Sequence, residues 1–157
     1  MISVNPESEE MEELANISLK NKPGSDLALI EGLKAIIVKE GLGRAPLVIQ
    51  NPEKAIADAV RETGLELSEL SDAARMLAHG VSPVILYGKG ITAQRDAHLI
   101  ESLLGLATLI GAVDKERVGL LSVKGEANSV AAAQLHLDGQ FKLNGQQAIY
   151  AAIGDDY

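Results

Sequence analysis

Pro83-Val84-Ile85-Leu86-Tyr87-Gly88-Lys89-Gly90-Ile91-Thr92 is the segment on which the fold class of this chain turns. Residues 83–87 form a near-continuous apolar run, the pattern of a strand covered on both faces. The run ends in a glycine-bearing loop, and a helix is predicted over about residues 93–110 with Thr92 as its cap. The same order recurs downstream. Residues 118–123 are apolar and meet Lys124-Gly125-Glu126, after which Asn128 caps a predicted helix ending near Gly139. Residues 148–153 are apolar again and meet Gly154-Asp155-Asp156. Strands alternating with helices imply parallel βαβ units with right-handed crossovers. The predicted fold is a three-layer, Rossmann-like α/β domain with a mainly parallel sheet flanked by helices.

Upstream, the pattern is mainly helical. Residues 17–20 alternate like a short strand and stop at Lys22-Pro23-Gly24. Ser25 or Asp26 then caps a helix carrying Leu29, Ile30, Leu33, Ile36 and Ile37 at helical spacing, with Gly41 as its left-handed terminator. Residues 46–50 are either a short strand or an apolar connector. Asn51-Pro52 opens a helix with Ile56, Ala59 and Val60 that ends at Gly64, and Ser68 opens another that ends at Gly80. Residues 1–13 hold five glutamates and few apolar groups, so 1–14 is predicted to be a solvated acidic lead-in and 15–157 a single domain. The last apolar run ends four residues before the terminus, where a crossover helix is due, which predicts a fragment of a longer polypeptide.

Composition removes several classes of function. The net charge of −8 argues against a nucleic-acid partner, which needs a basic face. The absence of cysteine excludes disulfides, thiolate metal sites, iron–sulfur ligation and a thiol nucleophile within this chain. No run of eighteen apolar residues exists, so no segment is predicted to enter a membrane, and residues 1–13 lack the features of a signal peptide. A cytoplasmic location is the expectation. His79, His98 and His136 lack the i, i+4 pairing of a helical metal site, and no nucleophile–base–orienter set is visible. The chain is therefore expected to have no catalytic residue and no metal site of its own.

The chemistry that remains lies in the loops. In a parallel sheet the loops that follow the strands share one edge, where ligands of open α/β sheets bind. Three loops fall there, at residues 88–92, 124–128 and 154–156. Their glycines admit a ligand close to the backbone, the helix after Thr92 offers N–H groups to an anion, and Lys89 and Lys124 add positive charge. A phosphate-bearing or otherwise polar, elongated ligand is predicted. The competing reading, that these glycines only turn the chain, stays open, because Gly88-Lys89-Gly90 is not a full dinucleotide fingerprint.

The segment Lys22-Pro23-Gly24-Ser25-Asp26-Leu27-Ala28-Leu29, followed by Gly32-Leu33, resembles the KPGTDxALxxGL signature of the molybdopterin oxidoreductase family. Ala73-Ala74-Arg75-Met76-Leu77-Ala78 leading into residues 83–92 resembles that family's next strand and glycine loop. Leu106 to Gly111, and then Gly125-Glu126-Ala127-Asn128-Ser129, are similar to its later segments. The matches keep their order over most of residues 15–157. In cofactor-carrying members, loops at these places hold the molybdopterin guanine dinucleotide. The resemblance implies that role for Gly88, Lys89, Gly90, Thr92, Gln94, Gly125, Asn128, Gly154 and Asp155.

Within the family, residues 127–129 and 154–156 most resemble the large iron–sulfur subunit of NADH-quinone oxidoreductase (complex I). Formate dehydrogenase and nitrate reductase large subunits are the nearest alternatives. Where cofactor-binding members read N-V-Q-G-A-x-D-M-G, this chain has Asn128-Ser129-Val130-Ala131-Ala132-Ala133-Gln134-Leu135-His136, without the second glycine and the aspartate. The complex I resemblance implies a vestigial scaffold with no cofactor in the fragment and iron–sulfur clusters elsewhere in the parent chain. Its partners would be the remaining domains of that chain and other subunits of a respiratory complex, peripheral to the inner face of the cell membrane. The alternative implies a bound molybdopterin guanine dinucleotide. A weaker resemblance, over residues 73–92, is to the central domain of thiamine-diphosphate enzymes, a non-redox binding module.

Overall fold

The computed structural model describes residues 1–8, 10–92, 94, 96–113 and 116–123. The chain runs β1 (Ile2–Val4), a 3₁₀ segment (Glu10–Leu14), β2 (Ile17–Leu19), α1 (Asp26–Lys39), α2 (Pro52–Thr63) and α3 (Leu67–His79). It continues through β3 (Val84–Tyr87), α4 (Lys89–Thr92), α5 (Ala97–Ile110) and β4 (Gly119–Ser122). Both strand pairings are parallel. β1 lies on β2 with Ile2 opposite Ile17 and Val4 opposite Leu19, and β3 lies on β4 with Val84 opposite Gly119 and Tyr87 opposite Ser122. The fold is α/β, as the alternating pattern implies.

α1 is the hub of the core. Leu29, Ile30, Leu33, Ala35, Ile36 and Ile37 are all buried, so apolar residues surround the helix rather than lining one stripe. It packs on α2, α3 and α5. α2 is amphipathic, and its ends follow from local chemistry. Asn51 Oδ1 accepts from the Lys54 N–H at 3.0 Å, Pro52 occupies the first turn, and Gly64 ends the helix at φ +75°. Asn51→Ala is expected to cost about 1 kcal/mol of unfolding free energy, measurable as a lowered urea midpoint with an unchanged slope.

Several expectations need correction. Ile2–Val4, assigned to a solvated lead-in, form the strand that pairs with β2, and the N-terminal ammonium donates to Asn16 Oδ1 at 2.6 Å. Residues 46–50 form no regular element and serve as a connector. α3 begins at Leu67 with Glu66 as cap, not Ser68, and the Glu66 N–H donates to Glu69 Oε2 at 2.8 Å. Covering of β3 is one-sided among the described residues: Ile85 and Tyr87 are half-buried, whereas Val84 and Leu86 are 51% and 61% exposed. The predicted helix after Asn128 and the strand at 148–153 lie outside the described residues.

Arg44 sets the entry to β3. Its backbone N–H donates to Leu109 O at 2.8 Å, and its guanidinium Nη2 donates to Ala78 O and Gly80 O. The ends of α3 and α5 are thereby joined just before the chain turns at Pro83 into the strand.

Candidate functional site

Lys22-Pro23-Gly24-Ser25 is a β-turn whose chemistry follows from its residues. Proline supplies the second position, Gly24 takes φ +78° at the third, and the Ser25 N–H closes on Lys22 O at 3.1 Å. A substituent at Gly24 would meet nothing within 4 Å, so the glycine is required by backbone conformation rather than by crowding. The Ser25 hydroxyl also donates to Lys22 O at 2.6 Å. This turn delivers Asp26 to the first turn of α1, directly after the end of β2.

The loop after β3 forms a second tight turn. Gly88 O accepts from Ile91 N–H at 3.1 Å, Thr92 N–H at 3.2 Å and the Thr92 hydroxyl at 3.3 Å, which winds residues 89–92 into the single turn α4. Beyond it α5 starts at Ala97, not at residue 93, and its cap is Asp96, whose Oδ1 accepts from His98 N–H at 2.9 Å. A carboxylate already meets one first-turn N–H group of the long helix. The helix start expected directly after Thr92 therefore lies at Ala97, behind Asp96.

The two turns face one cleft of about 750 Å³, a size suited to a small ligand. Its rim carries Asn5 and Pro6 after β1, Asn21 and Gly24 after β2, and Gly88 and Gly90 after β3, so the C-terminal ends of three strands open on it. Its floor is apolar, with Leu29, Leu33, Leu77 and Leu106. The end of β4 lies beside this rim as well: the Val123 N–H donates to Tyr87 O at 2.8 Å.

The polar centre of the rim is a chain of three side chains. Asn21, 2% exposed, donates Nδ2 to Ser25 Oγ at 3.1 Å and to Asp26 Oδ1 at 3.2 Å. Gln94 donates Nε2 to Asp26 Oδ2 and to Gly90 O, each at 2.7 Å. The Asn21 Oδ1 is buried and has no hydrogen-bond partner among the described residues. A buried acceptor left unpaired costs about 1–3 kcal/mol.

Of the residues singled out in the sequence, Gly88, Gly90 and Gln94 line the cleft. Lys89 and Thr92 are exposed and do not line it, and the Thr92 hydroxyl turns back to its own loop. Gly125, Asn128, Gly154 and Asp155 lie outside the described residues. Sequence reasoning missed Asn21 and Asp26 as site residues, although both flank the Lys22-to-Ser25 turn that carries the family resemblance. The signal was present: an amide and a carboxylate on either side of a strand-ending turn, at the sheet edge where ligands collect. Among the described residues no three His, Cys, Asp or Glu gather as a metal site. His79 Nδ1 lies 2.7 Å from Arg75 O, as fits a donor in the last turn of a helix.

The chain matches no protein-family model. Formate dehydrogenase H of Escherichia coli (strain K12) is 29% identical over 147 residues, which cover 86% of this chain and 21% of that protein. The assimilatory nitrate reductase catalytic subunit of Bacillus subtilis (strain 168) is 26% identical over 145 residues, 85% of this chain and 20% of that protein. The homologues are molybdopterin oxidoreductases. Among solved structures, acetylene hydratase from Pelobacter acetylenicus shares the fold, with a TM-score of 0.63 at 21% identity over 74% of this chain and 18% of that one. The chain thus spans about a fifth of the length of the molybdopterin oxidoreductase relatives named here. Among the described residues no helix is long and apolar enough to cross a membrane.

Proposed function

We propose that this chain is part of the molybdopterin guanine dinucleotide-binding scaffold of a formate dehydrogenase-like molybdenum oxidoreductase, within a longer polypeptide. The observation that carries the reading is the Asp26 carboxylate, held by Asn21 Nδ2 and Gln94 Nε2 on a cleft rimmed by Gly88 and Gly90. These groups fit the cofactor's guanine end. The N1–H and 2-amino groups of guanine are adjacent donors, and the two oxygens of a carboxylate can accept from both. A Cβ at Gly90 would meet nothing within 4 Å, so its backbone is open to the cleft. When bound, the cofactor supplies the redox chemistry. This chain's residues would hold one end of it, with the other proposed contacts at Gly125, Asn128, Gly154 and Asp155.

The rival is a fragment of the large iron–sulfur subunit of complex I with a vestigial site, supporting an iron–sulfur relay that lies elsewhere in the parent. Its support is the departure over residues 128–136, which lack the second glycine and the aspartate. The two readings differ in nucleotide binding. We expect the chain to bind GDP in preference to ADP by calorimetry. Asp26→Asn, which places an amide N–H against the guanine donors, should weaken GDP by about 1.5–3 kcal/mol, more than tenfold. Equal affinity for GDP and ADP, or no binding, would favour the vestigial scaffold.

A further inference from the structure

Asp26 is already satisfied by protein donors, and the two donors differ in kind. Asn21, on Oδ1, is buried at 2% exposure and belongs to the turn that builds the site. Gln94, on Oδ2, is exposed and comes from the loop after β3, 68 residues along the chain. Its amide orientation is fixed chemically. Both of its partners, the Asp26 carboxylate and Gly90 O, can only accept, so the nitrogen must face them. A ligand edge with two adjacent N–H donors needs the oxygen that Gln94 now holds.

We propose that Gln94 is a place-holder on Asp26: it satisfies the carboxylate before ligand arrives and must swing away when a guanine-type edge enters. The inference rests on the guanine-end reading above and adds a gate to it. Departure of Gln94 also releases Gly90 O, which then faces the cleft as a second open acceptor. The gate holds down affinity, because the incoming donors replace an existing charge-assisted hydrogen bond instead of meeting a bare carboxylate. An exposed glutamine regains water contacts when it leaves, so the effect is that of one net hydrogen bond.

Calorimetric titration of GDP into the wild-type chain, Gln94→Ala and Gln94→Leu tests this, with ADP as control and thermal unfolding to check folding. Both variants should bind GDP about three- to tenfold tighter than wild type. In the wild type, the Gln94 side-chain NH₂ resonance should move towards its solvent-exposed position on GDP addition. Variants that bind GDP equally or more weakly overturn the gate while leaving the guanine site standing. No GDP binding by wild type or either variant overturns the site reading, and the gate with it.

Discussion

Replacing Gly32 by valine lowers the unfolding free energy by about 3 kcal/mol or more. Gly32 lies in the middle of α1 where α2 crosses it, and a Cβ built there would stand 2.3 Å from the Ala59 Cβ. Ala59 is fully buried, so it cannot yield without moving its own helix. The two backbones must separate, and the contacts that α1 makes on this side go with them. Gly105→Ala in α5 makes the opposite case. There an added Cβ meets only the flexible end of Lys34, at 3.6 Å from Nζ, in ordinary contact. A helical glycine is about 0.5–1 kcal/mol worse than alanine, so this substitution should stabilise. Urea unfolding of both variants checks the pair. Equal midpoints for wild type and Gly32→Val would mean that the two helices are not in close contact at this crossing.

The elements that showed plainly in the sequence are those whose cause is local. Pro23 and Gly24 force a turn wherever they stand, Asn51 with Pro52 caps α2, and Gly41 and Gly64 take the positive φ that ends α1 and α2. The strand-to-loop change at Tyr87 and Gly88 was equally plain, because an apolar run and a glycine turn are adjacent. The start of α5 was not. Thr92 and Asp96 are both good caps, and Thr92 loses only because its hydroxyl is engaged by Gly88 O inside α4. β1 was hidden for a different reason. Three residues carry too little alternation to signal a strand, and the glutamates that follow dominate any local average. The centre of the site was the least visible part. Asn21 and Asp26 gain their meaning from Gln94, and no periodicity relates residues 68 positions apart.

Glu31→Ala is expected to destabilise the chain by about 2 kcal/mol, through the charge it leaves behind. Lys34 is a buried lysine with a side chain 10% exposed, and its ammonium reaches Glu31 Oε1 at 2.7 Å. The same oxygen accepts from the Ser102 hydroxyl at 2.6 Å, which ties α1 to α5. Stripping the partner from a fully buried pair costs about 3–5 kcal/mol. The Glu31 side chain is 41% exposed and partly screened by water, so the cost here falls below that range. Lys34→Met alone removes a buried charge and keeps the stem, and should be close to neutral. The double variant Glu31→Ala, Lys34→Met should therefore recover most of the loss, a coupling that a cycle of urea midpoints measures. The pH dependence has a definite sign. Burial pushes the Glu31 carboxyl up, but hydrogen bonds from Lys34 and Ser102, with the Lys34 charge, outweigh it and hold the carboxyl below its ordinary range. A carboxyl lowered in the folded state contributes its stability above the unfolded value, about 4.3, and loses it as pH falls through the folded one. The gap between wild type and Glu31→Ala should be full at neutral pH and close in acid; a gap that widened in acid would mean the carboxyl is raised, and the pairing with Lys34 is not what holds it.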